Sequence, residues 1–212
     1  MKKIYLLVFM SMFLCLAACG TDKKDDIPEN SRPVPEAETT FELTEQGKDF
    51  LAQMCRTLND FNSQTAKDET FWQDFLFYSY TGASEGAKTE QVHHEELGFD
   101  ETVVKISLQE AEAYTKLVFG TNLPDTKPSF EDMEEGQASC YYQDGYYYIG
   151  VSDFPDYQYT FADYEESDTS ITVRYMIDFE DESNVGAVCF TIVPENNENG
   201  FIITSKSTEF TN

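Results

Sequence analysis

Two neighbouring segments carry residue types that suit hydrolysis or metal binding. Ser84 lies in Gly-Ala-Ser-Glu-Gly (82–86), which fits the G-x-S-x-G pattern of a nucleophile elbow. That pattern needs a strained strand-to-helix turn in a parallel sheet, with an acidic residue and then a histidine later in the chain. The two histidines, His93 and His94, follow within ten residues, and no parallel-sheet pattern comes after them. We interpret the segment as a flexible Gly/Ser loop.

The histidine pair also lacks the spacing of a zinc site. H-E-x-x-H places its second histidine four residues after the first, but Gly98 stands four residues after His94. Adjacent side chains point apart on a strand or a helix, so we expect a solvated loop around His93 and His94, without a metal. The acidic clusters at 131–135, 165–168 and 180–182 lack the spacing of a calcium loop. We predict no catalytic residue, no metal and no cofactor.

Tyrosines concentrate in the segment 140–164, which holds eight of the chain's thirteen. A tyrosine presents a flat apolar ring and a polar tip, which suits sugars, peptides and proteins. We expect Tyr142, Tyr146 and Tyr148 on one face of paired strands and Tyr141 and Tyr147 on the other. The alternative is a cross-strand aromatic ladder that only stabilises the sheet. The candidate binding surface comprises Tyr142, Tyr146, Tyr148, Tyr157 and Tyr159.

The first residues indicate export. Lys2 and Lys3 precede an almost wholly apolar run at 4–18, which is typical of a secretory signal and shorter than the roughly 20 residues of a membrane span. The run ends in Leu16-Ala17-Ala18-Cys19, which resembles the lipobox of bacterial lipoproteins. The resemblance implies cleavage before Cys19 and attachment of diacylglycerol to its thiol. An ordinary secretory signal or a short N-terminal anchor helix is the alternative.

These observations divide the chain into three parts. We predict a lipoprotein signal peptide at 1–18, a lipidated cysteine and disordered tether at 19–40, and one α+β domain at 41–212. The tether is rich in charge and proline and has no aromatic residue, so it lacks the apolar surface needed to order it. We place the protein on the extracytoplasmic face of the cell membrane, or of the outer membrane where there is one.

Charge and cysteine usage limit the partners. The net charge of −26 argues against nucleic acid, which requires basic residues to replace its counterions, and against lying flat on anionic lipid. Cys55 falls on an apolar helical face and reads as a core residue. Cys140 and Cys189 fall in predicted strands and are able to form a disulfide in an export compartment; free buried thiols are the alternative.

The domain is predicted to begin with helices and end with strands. Helices are expected at 45–62, after Asp68, and from the capping box of Ser107 and Glu110 to Gly120. A loop is expected at 82–101 and a short strand at 102–106. Five or six antiparallel strands follow, near 138–143, 146–151, 157–166, 170–179, 186–194 and 201–209. We predict an α+β fold in which one curved antiparallel meander wraps the helices; in element order it resembles cystatin-like and NTF2-like rolls.

The expected function is binding rather than catalysis. The stretches VKISLQEAEAYTKLVFG and DGYYYIG resemble uncharacterised lipoproteins of gut bacteria, which implies no activity. A weaker likeness, helices followed by an acidic β-rich half, is to secreted inhibitors of cell-wall endopeptidases. We expect a membrane-anchored module that binds an envelope protein, a peptide or a cell-wall glycan. A cell-envelope hydrolase that uses paired carboxylates and a purely structural envelope component are the alternatives.

The lipid anchor is testable by one substitution. We expect Cys19→Ala to move the protein out of the detergent phase on phase partitioning, because the residue that carries the acyl chains would be absent. Immunoblotting of the two phases measures this, with Cys15→Ala as the matched control that keeps its anchor. A Cys19→Ala protein that still partitions into detergent would contradict the lipobox interpretation.

Overall fold

The first half of the domain contains both helices and strands, and in the described part of the second half all named elements are strands. The structure, a computed structural model, describes residues 41–80, 88–95, 98–129, 140–151, 157–179 and 182–211. The α-helices within these ranges are α1 (Glu45–Thr57), α2 (Glu69–Asp74) and α3 (Leu108–Phe119). The strands are β1 (Thr89–His94), β2 (Phe99–Ser107), β3 (Cys140–Gln143), β4 (Tyr146–Gly150), β5 (Gln158–Glu166), β6 (Ile171–Phe179), β7 (Glu182–Pro194) and β8 (Phe201–Phe210).

The strands form two antiparallel sheets of four strands each. The first sheet has the order β1-β2-β4-β3, and the second is the simple meander β5-β6-β7-β8. The predicted α+β class is confirmed, but the single meander of five or six strands is replaced by eight strands in two sheets. The hairpin β3–β4 joins β2 rather than β5. Both sheets contribute their inner faces to one hydrophobic core with the helices.

The strand β1 lies where a loop was expected, and that expectation is wrong. Its sequence, Thr-Glu-Gln-Val-His-His, is polar and mostly exposed, so it shows no alternation of apolar and polar residues. The strand is held instead by pairing with β2, and the Gln91 side-chain amide donates to the Thr102 hydroxyl at 2.6 Å. An edge strand of this kind is not recognisable from hydrophobic periodicity.

The helix termini follow the local sequence signals. The Ser107 hydroxyl accepts from the Glu110 amide at 3.2 Å, and the Glu110 carboxylate accepts from the Ser107 amide at 2.7 Å. These bonds from Ser107 lower the pKa of Glu110. Gly120 ends α3 with a φ of +69°, a conformation that glycine adopts without steric cost. The predicted capping box and C-terminal glycine are both confirmed.

A buried lysine closes the C-terminal end of α1. Lys206 of β8 is 6% exposed, and its Nζ donates to the carbonyl oxygens of Cys55, at 2.9 Å, and Leu58. Burial lowers the pKa of Lys206, and the Asp60 carboxylate opposes that shift. The Asp60 carboxylate also accepts from the amide and hydroxyl of Thr208, at 2.7 Å each. The end of α1 is therefore tied to β8 by side chains as well as by backbone.

The cysteines of the domain are free. Cys55 and Cys140 are buried and Cys189 is half-buried. The Cys140–Cys189 disulfide that the sequence allowed is absent: Cys140 lies in β3 of the first sheet, whereas Cys189 lies in β7 of the second. Burial raises the pKa of both Cys55 and Cys140, which keeps these thiols protonated and unreactive.

Loss of the lysine cap is predicted to destabilise the domain. We expect Lys206→Met to lower the free energy of unfolding by about 1–3 kcal/mol, because two buried carbonyl groups would lose their donor. Urea unfolding, followed by circular dichroism, measures the change. Lys88→Met, at an exposed position, is the control and should stay within about 0.5 kcal/mol of the parent. Equal stability of the two variants would contradict the capping role of Lys206.

Stability is also predicted to fall at alkaline pH. Desolvation is the main cause of a raised pKa at seven described cysteines and tyrosines: Cys55, Tyr114, Cys140, Tyr141, Tyr147, Tyr159 and Tyr175. For Tyr141 and Tyr159 the raised pKa is about 12. The unfolded chain releases such protons at about pH 8.5 for cysteine and about pH 10 for tyrosine. The folded chain holds them longer, so the free energy of unfolding falls as the pH rises through this range and on to about pH 12.

Lys206 contributes with the opposite sign, because its lowered pKa makes the folded state lose that proton first. One lysine opposes seven groups, so the net slope is expected to be negative. Urea unfolding at a series of alkaline pH values measures the slope, and tyrosinate absorbance reports the ionisation in parallel. A free energy of unfolding that stays constant up to about pH 11 would contradict the prediction.

Candidate functional site

The five tyrosines proposed from the sequence do not share a surface. The turn Asp144-Gly145 pairs Gln143 with Tyr146, which brings Tyr142 opposite Tyr147 and Tyr141 opposite Tyr148. Directly paired residues lie on the same face of a sheet. The expected grouping of Tyr142 with Tyr146 and Tyr148 is therefore wrong. It assumed that side chains continue to alternate between the two faces through the hairpin turn, whereas pairing across the turn sets the faces.

The other two candidate tyrosines belong to the second sheet. Tyr159 lies in β5, paired with Ile177, and Tyr157 precedes that strand. Both are half-buried and pack against the core. They are therefore separated in the fold from the β3–β4 hairpin, and the sequence segment 140–164 does not correspond to one aromatic patch.

The outer face of the first sheet, which points away from the helices, carries a cation–aromatic ladder. Lys105 Nζ lies 4.7 Å from the ring centroid of Tyr146 and 5.0 Å from that of Tyr148. A hydrogen bond with Tyr148 raises the pKa of Lys105. The Tyr148 ring stacks on the Tyr141 ring with centroids 5.1 Å apart. These contacts match the alternative of a stabilising ladder, since the rings are occupied by one another and by Lys105.

The two histidines end β1 with side chains on opposite faces, as neighbours on a strand must. His93 Nδ1 lies 2.7 Å from Asp100 Oδ1 in an exposed pair, and His94 Nε2 lies 2.9 Å from Glu101 Oε2 in a largely buried one. Within the described ranges no three His, Cys, Asp or Glu side chains come together as a metal site requires. Ser84 and Cys19 lie outside the described residues.

A cleft that the sequence did not reveal lies between α2 and the 123–128 segment. It has a volume of about 220 Å³, and Tyr147 of β4 contributes to its lining from the first sheet. Three separate parts of the chain therefore meet there. The described residues that line it are Glu69, Trp72, Gln73, Leu76, Leu123, Pro124, Thr126, Lys127, Pro128 and Tyr147.

Trp72 is held rigidly in the helical wall of the cleft. Its indole Nε1 donates to the Ala66 carbonyl at 3.1 Å. Its ring makes edge-to-face contacts with Phe71, Phe75 and Phe119, at centroid distances of 5.1, 6.3 and 5.5 Å. Because the only polar atom of the indole is already bonded, Trp72 offers a fixed hydrocarbon surface to the cleft.

The same wall continues into an unusual helical turn. Directly after α2, residues Phe75–Tyr80 form a π-helix, a rare conformation that is frequent at functional sites. Leu76 from this segment is 1% exposed and lines the cleft. Asp68 caps the start of α2 by accepting from the Thr70 amide at 3.1 Å. The helical wall of the cleft is therefore capped at its start by Asp68 and continues at its end into the π-helix.

The 123–128 segment is held in place by its own bonds. Leu123 anchors it in the core at 7% exposure. Lys127 Nζ donates to the Pro124 carbonyl at 2.9 Å, and the Tyr142 amide donates to the Pro128 carbonyl at 2.7 Å. Two prolines further restrict this backbone. Both walls of the cleft are thus held by contacts within the chain.

Polar groups without partners surround the aromatic surface. Tyr147 is 2% exposed, burial raises its pKa, and its hydroxyl makes no hydrogen bond within the described part of the chain. The side chains of Glu69, Gln73 and Thr126 likewise make none with described residues. The cleft therefore presents at least four polar groups that are free to accept or donate.

The charges at the cleft limit the chemistry it supports. Glu69 supplies one carboxylate and Lys127 one ammonium group among the described lining residues, and their formal charges cancel. Hydrolysis of a glycoside by paired carboxylates needs two such groups roughly 5–10 Å apart. The described lining residues include one carboxylate, that of Glu69.

The sequence patterns did not connect Trp72 with Lys127 or Tyr147. None of the helices within the described ranges has the length and apolar character needed to cross a bilayer.

No protein-family model, curated protein or solved structure matches this chain.

Proposed function

We propose that this chain is a lipid-anchored, extracytoplasmic module that binds an envelope protein, a peptide or a glycan, and that the cleft beside Trp72 is its binding site. The proposal combines two independent observations. The lipobox-like Leu16-Ala17-Ala18-Cys19 supports attachment to a membrane surface. The rigid aromatic wall with unpartnered polar groups around it supports recognition of a ligand.

The second observation carries the binding function. Tyr147 is 2% exposed, and its hydroxyl makes no hydrogen bond with described residues, so it is free to bond a ligand. One such bond contributes about 0.5–1.5 kcal/mol. Because Trp72 and the 123–128 segment are already fixed, little ordering entropy is lost on binding. A purely structural envelope component has no need of such an arrangement.

The volume of the cleft limits how much of a ligand it can hold. At about 220 Å³ it is smaller than the roughly 300–1,000 Å³ of pockets that enclose whole drug-sized ligands. It has room for a single ring or side chain, with the rest of the ligand outside. This fits a module that holds one unit of a larger envelope polymer.

Trp72 makes the proposal directly measurable, since it is the only tryptophan in the chain. We expect glycan and peptide fractions of an envelope digest, added separately to the detergent-solubilised full-length protein, to change Trp72 fluorescence saturably in at least one case. Gln73→Ala should weaken that response about 2- to 12-fold, the equivalent of one hydrogen bond.

Gln158→Ala, at an exposed position in β5, is the matched control and should leave the response unchanged. Circular dichroism of both variants verifies that each is folded. The proposal fails if neither fraction gives a saturable response, or if Gln73→Ala and Gln158→Ala behave alike.

A further inference from the structure

We infer that the ligand of the cleft is a neutral sugar ring, presented by an envelope glycan. The inference rests on the proposed function and names the ligand class of the same site. It depends on the combination of the Trp72 hydrocarbon surface, the Tyr147 hydroxyl and the mixed polar groups of Gln73, Thr126 and Glu69.

The aromatic surface suits the apolar face of a pyranose. A sugar ring presents C–H groups on its faces and hydroxyl groups around its edge. Trp72 offers only carbon to the cleft, because its Nε1 is bonded to the Ala66 carbonyl. The indole is also fixed by its three phenylalanine contacts, so a ring can pack on it without first ordering it.

The polar groups suit the hydroxyl groups at the edge of such a ring. Each sugar hydroxyl both donates and accepts, and the hydroxyls of Tyr147 and Thr126 and the amide of Gln73 do the same. Glu69 adds an acceptor, and Lys127 retains two donors beyond the one given to the Pro124 carbonyl. A hydroxyl-rich ligand can therefore satisfy the whole set, whereas an apolar side chain would leave it unpaired.

The backbone of the cleft argues against a peptide. A peptide bound in extended form needs free backbone donors and acceptors on its receptor. The carbonyl of Pro124 is taken by Lys127 and that of Pro128 by the Tyr142 amide, and neither proline has an N–H group. The 123–128 segment consequently offers no peptide-binding edge at these two positions.

Charge argues against an anionic ligand. Glu69 and Lys127 balance each other at the cleft, and the chain as a whole carries −26, which repels anions at low ionic strength. A neutral ring avoids that repulsion. Its affinity should accordingly depend little on salt, which separates specific binding from attraction of basic molecules to the acidic surface.

The test uses defined probes on the full-length protein in detergent micelles. Trisaccharides of β-1,4-linked glucose, α-1,4-linked glucose and β-1,4-linked N-acetylglucosamine are titrated while Trp72 fluorescence is recorded, at low and high salt. Neutral, acidic and basic tripeptides are titrated in the same way. We expect at least one trisaccharide to bind saturably with the same affinity at both salt concentrations, and the peptides not to bind.

Matched tyrosine variants locate the site. Tyr147→Phe removes one hydroxyl from the cleft and should weaken binding of that trisaccharide about 2- to 12-fold. Tyr146→Phe removes the hydroxyl of the neighbouring residue on the opposite face of β4 and should not change it. Thr126→Ala, at an exposed position where unfolding is not a concern, should also weaken binding.

The outcomes separate this inference from the proposed function. Binding of a peptide with the same dependence on Tyr147→Phe overturns the sugar assignment and leaves the binding function standing. A trisaccharide that binds the parent, Tyr147→Phe and Thr126→Ala equally is bound elsewhere, which also overturns it. If no trisaccharide binds, the sugar inference is overturned. If the envelope fractions also give no response, the proposed binding function is overturned with it.

Discussion

The buried ammonium group of Lys206 on the end of α1 is the contact on which the arrangement of helices over the second sheet depends. Lys206 Nζ bonds the last carbonyl groups of the helix, and the backbone of the same residue exchanges two 3.0 Å bonds with Phe61. A lysine at 6% exposure is tolerated because carbonyl oxygens replace its water. Since α2 starts soon after Phe61, this anchor also determines where Trp72 is placed.

From that anchor an aromatic cluster leads to the cleft. Phe61 contacts Phe71 and Phe119 with ring centroids 5.2 and 5.3 Å apart, and both of these rings touch Trp72. Phe119 belongs to α3 and Phe71 to α2, so the cluster joins two helices. Aromatic rings packed edge-to-face are stiff and specific in geometry. The rigidity of the cleft wall is therefore a property of the core, and the polar groups around Trp72 are what distinguish it from ordinary core packing.

The protein has two sheets where the alternation of apolar and polar residues had suggested a single meander. This difference changes which residues face the core. In the first sheet, Tyr141, Tyr146 and Tyr148 lie on the face away from the helices, where Lys105 is the shared partner of two rings. A tyrosine-rich segment was a reasonable candidate for a ligand surface. Only Tyr147, which was not among the candidates, reaches the cleft, because its side of β4 faces the helices.

Features that depend on neighbouring residues along the chain were predictable from the sequence. The Ser107–Glu110 capping box, the left-handed Gly120 and the strands of the second sheet all arise from residues within a few positions of one another, and the α+β class follows from their order. Tertiary packing sets which strands share a sheet, which face each tyrosine takes across the Asp144-Gly145 turn, and where Trp72, Lys127 and Tyr147 meet. In the cleft Trp72 lies 55 positions from Lys127 and 75 from Tyr147 in the chain. No local pattern encodes such contacts, because their free energy is gained only when the separate elements are packed together.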